Sequence, residues 1–467
     1  MKHMISAIIC CFFLSASHAF EQPVKLPEPA IEKLPNGLTI AWFASDRLPL
    51  VDISLLVKAG YRQDPAGRSG VAQLVAESID KGCGGKSGAE IARTVESLGA
   101  ERYSNADEDS FSVGMHGLAP DAEKLLEMLS LIVMKPEFPE KEFMHEHARI
   151  VDKWKHIADF NDVLAALAYD RVLSSGTPYA RGPMLTSKEF AAIRRDDAVK
   201  FHTAWFTPSN SILMITGRVD RVKLGARIVE LFGVWKNPEK PHKHSDIKTT
   251  HGRLEPSRGQ ILLIDHPGAP QAQMRIGMRA PLINDPDHYP LVVVNALVGE
   301  YFGSRLNSIA RDKLGLTYAI GSSFSYDKDL SKFTITSATN SSTAGQLVSK
   351  ILDILKDLRK GPVFEEEIKM SKAYLTGRFP IATAALESVA SHWLAGMVLG
   401  LDPGHLSRFV ASVNAVTAKD IERAITRHLD PAKAVVVVAG DAREITKSLH
   451  EAGLRSIKTV KPGELLQ

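Results

Sequence analysis

The sequence predicts an α+β protein built of two homologous lobes, each an antiparallel-rich sheet with helices packed on one face. Two observations predict this. The chain of 467 residues repeats a set of landmarks at nearly one displacement, and self-similarity of that kind marks a duplicated unit. Each copy also runs strands first and helices after, the order that segregates helices to one side of a sheet.

The landmarks are specific. Pro49-Leu-Val-Asp-Ile-Ser-Leu-Leu-Val-Lys-Ala-Gly60 returns as Pro270-Gln-Ala-Gln-Met-Arg-Ile-Gly-Met-Arg-Ala-Pro281, with Lys58-Ala59 matched by Arg279-Ala280. Ile91-Ala92-Arg93 before Leu98-Gly99 returns as Ile309-Ala310-Arg311 before Leu314-Gly315. Pro208 and Gly217 return as Pro431 and Gly440. The displacements are 221, 218 and 223 residues, in one order along the chain. A tandem duplication explains all of them.

The elements follow in order. Residues 1–19 are expected to be a secretory signal peptide: Lys2 gives a positive start, Ile5 to Leu14 an apolar stretch, and Ser17 and Ala19 small residues for cleavage before Phe20. That stretch is shorter than the ~20 apolar residues of a membrane-spanning helix. The first lobe is expected over 20–235. It opens with two β-branched strands, a helix and a second helix closing at Leu98-Gly99. Two strands between Arg102 and Met115 follow, then amphipathic helices whose stripe Leu125, Leu126, Met128, Leu129 and Ile132 faces the core. The segment Ser211 to Thr216 is its last strand. Residues 236–258, rich in Pro, Lys and His and without periodicity, form an interlobe linker. The second lobe, 259–467, repeats the plan, with strands between Leu316 and Ser337, the helical stripe Leu347, Ile351, Ile354 and Leu355, and a closing strand from Ala434 to Ala439.

Composition narrows the function classes. The chain is 44% hydrophobic and 24% charged, with a formal net charge of +3 that falls to +2 once the segment holding Lys2 is removed. Near-neutrality gives no electrostatic footprint for nucleic acid or an anionic membrane. Cys10 and Cys11 leave with the signal segment, so Cys83 alone can form neither an intrachain disulfide nor a cysteine metal site.

The chemistry-bearing motifs are few. The chain contains no H-x-x-E-H and no G-x-S-x-G. In His145-Glu146-His147 the two histidines project about 200° apart on a helix and cannot chelate jointly; a partly exposed polar face is the reading there. His242, His244 and His251 lie in the linker. Gly82-Cys-Gly-Gly-Lys-Ser87 resembles a phosphate loop, but Asp80 stands at its first glycine position and a helix precedes it, so a flexible interhelical turn is expected.

Leu34-Pro-Asn-Gly-Leu-Thr-Ile40, Gly176-Thr-Pro-Tyr179, Trp205-Phe-Thr-Pro-Ser-Asn210, Gly303-Ser-Arg-Leu306 and Arg311-Asp-Lys-Leu-Gly-Leu-Thr-Tyr318 together resemble the pitrilysin/insulinase-type zinc peptidases, over essentially the whole mature chain. The resemblance implies two lobes that close as a clamshell. It also implies a first-lobe helix carrying H-x-x-E-H, whose histidines ligate zinc while the Glu serves as general base. The matching stretch is Gly70-Val-Ala-Gln-Leu-Val-Ala-Glu77, where Gln73 and Glu77 replace the histidines and Ala76 the base. A neutral Gln is a poor zinc ligand and Ala takes no proton, so these positions read as a degenerate metal motif.

The resemblance assigns a second role to Arg311 and Tyr318, seven positions apart in the second lobe, which reach toward a peptide held at the zinc. An Arg donates to substrate carbonyls and a phenol stabilises a tetrahedral oxyanion. The expectation is a non-catalytic subunit of a heterodimeric periplasmic zinc peptidase. No metal or cofactor is expected in this chain, and zinc is expected in a homologous partner bearing H-x-x-E-H. The extended peptide substrate adds to a sheet edge. The alternative is a non-enzymatic peptide-binding or scaffolding protein of the same fold.

Overall fold

The computed structural model describes residues 25–181, 187–239 and 259–465. The expected signal segment and nearly all of the expected linker, with its three histidines, lie outside the described residues.

The chain folds into two six-stranded sheets. The first has the order β1-β2-β8-β3-β7-β6, from β1 (Ala30–Lys33), β2 (Thr39–Ala44), β3 (Leu50–Val57), β6 (Glu101–Ala106), β7 (Phe111–Leu118) and β8 (Ser211–Gly217). Strands β4 (Gly82–Cys83) and β5 (Lys86–Ser87) form a separate small hairpin. The second sheet has the order β11-β12-β10-β13-β9-β14, from β9 (Ile261–Asp265), β10 (Gln271–Ala280), β11 (Ile320–Tyr326), β12 (Ser331–Asn340), β13 (Val435–Gly440) and β14 (Ile457–Val460). Five strands of each sheet correspond in position and direction: β2 runs parallel to β8 as β9 does to β13, and every other pairing among them is antiparallel. The sixth strands differ, because β1 is an antiparallel hairpin partner and β14 a parallel strand from the chain's end. The α+β fold of two similar sheet-and-helix lobes is as the sequence predicts.

Both faces of the sheets are buried. Along β3, Val51, Ile53, Leu55 and Val57 enter the core beneath the first lobe's own helices, while Leu56 points to the opposite side, as the two-residue strand period requires. In β8, Leu213 and Ile215 alternate with Ile212 and Met214 in the same way. Such strands read as continuous apolar runs, not as polar alternation.

What covers the second face comes from the other half of the chain. The helix Leu386–Val398 lays Val389, Ala390, Trp393 and Leu394 against Ala41, Phe43, Ile212 and Met214 of the first sheet. Reciprocally, the helix Asn161–Ser174 lays Leu164, Ala165, Ala168, Tyr169 and Leu173 on Leu262, Ile264, Val437 and Ala439 of the second. Polar ties fix this exchange. Tyr169 donates to the Phe333 carbonyl at 2.7 Å, and Lys332 pairs with Asp170 at 3.0 Å. Gly277 leaves the room Tyr169 needs, since a Cβ there would meet its Oη at 2.3 Å.

A clasp closes the same boundary at the β11–β12 turn. Tyr179 donates to Asp109 at 2.9 Å and its oxygen accepts from the Asp329 amide at 3.1 Å, while Asp109 accepts from the Lys328 amide at 2.7 Å. Arg62 pairs with both Asp329 and Asp109. Tyr179→Phe removes two of these bonds at a buried site and is expected to cost about 1–3 kcal/mol, measurable as a lowered urea midpoint. Asp327, in the same turn, is pushed up to about 7 by burial first and by the neighbouring Glu108 charge second. A carboxyl raised in the folded state destabilises the fold as pH climbs from its unfolded value of 3.8 through about 7. Asp327→Asn is therefore expected to raise Tm at pH 8 and leave it nearly unchanged near pH 4, as a melting series over that range would show.

Two sequence readings change locally. Gly82 to Ser87 is a tight hairpin rather than a flexible turn, with Gly84 and Gly85 at φ +56° and +79°; paired left-handed residues are what a two-residue hairpin turn demands. The second-lobe segments Ala296–Glu300 and Asn307–Lys313 wind as π-helix rather than regular α-helix.

Candidate functional site

The first-lobe helix Val71–Ser78 starts sharply at Gly70, where φ is +101° and the buried Asp64 accepts from the Gly70 and Ala72 amides at 2.6 and 2.8 Å. The helix lies against edge strand β6 and the helix Glu140–Lys155. Its two expected polar positions are half-buried and differently engaged. Gln73 carries a buried Oε1 without a hydrogen-bond partner. Glu77 is bound by Arg149 Nη2 at 2.5 Å, and Ala76 between them is buried.

Arg149 does more than pair with Glu77. Its Nε donates to Glu146 at 2.7 Å, Glu146 meets Lys81 at 3.5 Å, Lys81 meets Asp80 at 3.6 Å, and Asp80 pairs with Arg102. Six side chains of alternating sign thus run from the helix to the edge strand, three acids and three bases. Partial burial pushes the Glu146 carboxyl up, but bonds and charge from Arg149 and Lys81 outweigh it and hold it below the usual range. A divalent zinc does not suit this helix: a guanidinium already supplies the counter-charge on Glu77, and the helix itself carries no histidine. The Glu77–Arg149 pair, substantially exposed on both sides, contributes less than about 1 kcal/mol, but Arg149→Ala also strips the buried Glu146 of its donor and is expected to cost about 1–3 kcal/mol, which a thermal melt checks.

His145-Glu146-His147 diverges as the helical period requires, yet only His145 is exposed. Glu146 belongs to the charge chain, and His147 stacks on Phe190 at 5.0 Å with its Nε2 3.0 Å from the Phe190 carbonyl. Cys83 is buried, its thiol 3.1 Å from the Ile79 carbonyl and pushed up to about 12 by burial, which leaves no nucleophile there.

The second lobe presents its expected residues differently. Tyr318 is 99% exposed, on a connection held from below. Thr317 donates to the Ala338 carbonyl at 2.7 Å, Thr339 to the Leu316 carbonyl at 2.5 Å, and Gly315 at φ +59° lets its amide reach the Arg311 carbonyl at 3.1 Å. A fixed loop therefore holds up an unsupported phenol immediately before edge strand β11. Arg311 lies 4.5 Å over the ring of Phe302, itself 73% exposed, with Nε 3.7 Å from Asp312. No hydrogen bond joins Arg311 to Tyr318. Phe302 was legible only as an aromatic directly before Gly303-Ser-Arg-Leu306. Within that stretch Arg305 is taken up by a bidentate pair with Glu367 at 2.7 Å, and Leu306 is fully buried.

One expectation is overturned. Reading the chain as free of any metal-binding group overlooked Asp285, Asp287 and His428, whose ligand atoms all lie within 4.8 Å of one another. They meet where the helix His288–Asn295 begins and the helix Ala418–His428 ends. Asp287 is fully buried and also accepts from Arg423 Nε at 2.9 Å, Arg427 at 3.0 Å and His428 Nε2 at 2.9 Å. Burial pushes its carboxyl up, but these donors outweigh it and hold it below the usual range. An ion there would share Asp287 with two guanidinium groups.

The comparisons agree with the geometry. Residues 43–175 match the family described as insulinase (peptidase family M16), and residues 192–375 match its peptidase M16 inactive domain. The chain belongs to the M16 peptidase family. An uncharacterized zinc protease of Rickettsia bellii is 25% identical over 75% of this chain and 83% of its own length. The mitochondrial-processing peptidase subunit beta of Saccharomyces cerevisiae is 22% identical over 75% of this chain and 78% of its own. A solved structure of a peptidase M16 inactive domain from Pseudomonas fluorescens superposes with a TM-score of 0.78, at 23% identity, over 88% of this chain and 98% of that one. That likeness shows the fold.

Proposed function

We propose that this M16 chain is the non-catalytic subunit of a two-chain peptidase, contributing Arg311 and Tyr318 to a site whose metal motif is carried by a homologous partner. The observation that carries the reading is the contrast between the lobes. The first-lobe helix has a self-neutralised charge chain where a metal motif would stand, while the second lobe holds out a 99% exposed tyrosine on a pinned loop and, seven residues earlier, a one-third-exposed arginine. A fully solvated phenol stabilises nothing in its own chain. Its use lies in what docks there.

The chemistry assigned to this chain is binding and charge stabilisation. Water activation belongs to the partner's metal site. Arg311, pre-oriented on Phe302, donates to peptide carbonyls, and Tyr318 donates to the oxyanion that develops on the scissile carbonyl. Edge strands β6 and β11 leave backbone groups available for an extended peptide. The yeast relative is by name one subunit of a processing peptidase, which supports divided labour as a precedent within the family. The reading places the lobes at 20–235 and 259–467 about a linker at 236–258, and the mature protein in the periplasm after removal of residues 1–19.

A peptide-binding or scaffolding role uses the same exposed surface, and one measurement separates the two. The isolated chain is expected to show no peptide cleavage and to gain it only with a partner bearing H-x-x-E-H. Full cleavage by the isolated chain after exhaustive chelation would refute the divided-site reading. Binding without cleavage in any combination would favour the scaffold.

A further inference from the structure

A cavity of about 360 Å³ opens between the lobes, away from Arg311 and Tyr318 and outside the function proposed above. Its volume falls within the ~300–1,000 Å³ of small-ligand sites. One wall is the second face of the first sheet, with Ser54. Another is the exchanged helix, with Leu394, and the rim is closed by Tyr103, Glu108, Tyr326 and Asp327.

The charge of this lining is one-sided. Four carboxylates contribute to it, from Asp107, Glu108, Asp109 and Asp327, and no Lys, Arg or His does. Asp109 is satisfied by Tyr179 and Arg62, and Asp107 accepts from Asn105 at 2.9 Å. Glu108 and Asp327 line the same cavity from the two lobes, the Glu108 charge acts on Asp327, and the cation acting on both, Lys332, is committed to Asp170. Asp327 Oδ2 is buried without a hydrogen-bond partner, and so is the hydroxyl of Ser54, a residue only 3% exposed. Buried acceptors left unpaired are costly, so a lining with this deficit favours a group that brings donors and positive charge. Burial also pushes both Glu108 and Asp327 above the usual carboxylate range, the response of acids short of a counter-ion.

We propose that this interlobe cavity binds an organic cation, an alkylammonium or guanidinium group whose charged head meets Asp327 and Glu108 and whose stem lies along Leu394. The rings of Tyr103 and Tyr326 add faces on which such a cation is attracted. The group could be carried by a free amine or by the basic side chain of a peptide, and the chemistry of recognition is common to both.

The test is calorimetric titration of the full mature chain with n-butylammonium and with the blocked peptide acetyl-Ala-Lys-Ala-amide, using n-butanol and acetyl-Ala-Leu-Ala-amide as neutral controls. Saturable binding of one cation per chain is expected, with the neutral analogues at least tenfold weaker. Asp327→Asn and Glu108→Gln are each expected to weaken the cation at least tenfold, and near-UV circular dichroism confirms that each variant is folded. Tighter binding of the peptide assigns the site to basic side chains, and tighter binding of the amine assigns it to free amines. Neutral probes binding as well as cations, no saturable binding of either cation, or an affinity unchanged in whichever folded variant is obtained would overturn the proposal.

Discussion

Trp393→Ala is expected to destabilise the folded chain by about 3–5 kcal/mol, the cost of emptying a large buried aromatic site. Trp393 is 2% exposed and packs edge-on against Phe43, their centroids 5.8 Å apart, in the cluster that joins the second-half helix to the first-half sheet. The loss is therefore a loss of interlobe attachment. Its indole N–H has no hydrogen-bond partner, so Trp393→Phe, which keeps a ring and removes the orphaned donor, is expected to cost much less. Urea denaturation read by circular dichroism separates the two variants. The same reasoning predicts that a chain ending at residue 239 exposes Phe43, Ile212 and Met214 and fails to stay soluble alone. A stable, soluble first half would show that the exchanged helix is dispensable.

Tyr318→Phe is expected to lower kcat of the proposed two-chain enzyme by about 10²–10³, the effect of deleting one oxyanion donor, with KM little changed. The conservative substitution removes only the hydroxyl, and since Tyr318 is fully solvated the variant keeps its fold and melting temperature. Arg311→Ala is expected to raise KM more than it lowers kcat, because it removes a contact that the ground state also makes. It also strips the cation from the face of Phe302. Steady-state kinetics of the reconstituted pair give both ratios. Unchanged kinetics in both variants would remove these residues from the site.

The duplication was legible because strand spacing and paired landmarks such as Arg93 and Arg311 survive in order, and the parallel placement of β8 and β13 confirms it in three dimensions. The helix exchange was not. Nothing in the sequence says which sheet buries Leu164, Ala168 and Trp393. Gln73, Ala76 and Glu77 could be read from the sequence as positions without histidine or a general base. The cation paired with Glu77 could not, because Arg149 stands 72 residues away and a charge on a helix face usually signals solvent. The Asp285, Asp287 and His428 group escaped notice for the same reason: two helix ends bring together residues about 140 positions apart. Tyr318 was assigned from resemblance alone, and nothing in its local sequence indicated that its ring would stand free.

The measurement that bears most directly on the central claim is co-purification of the tagged mature protein from its native host, with mass spectrometry of the eluate and a peptide-cleavage assay on it. The account predicts a stoichiometric homologous chain bearing H-x-x-E-H and cleavage that a chelator abolishes. Recovery of this chain alone or with unrelated proteins, and no chelator-sensitive cleavage, would contradict it.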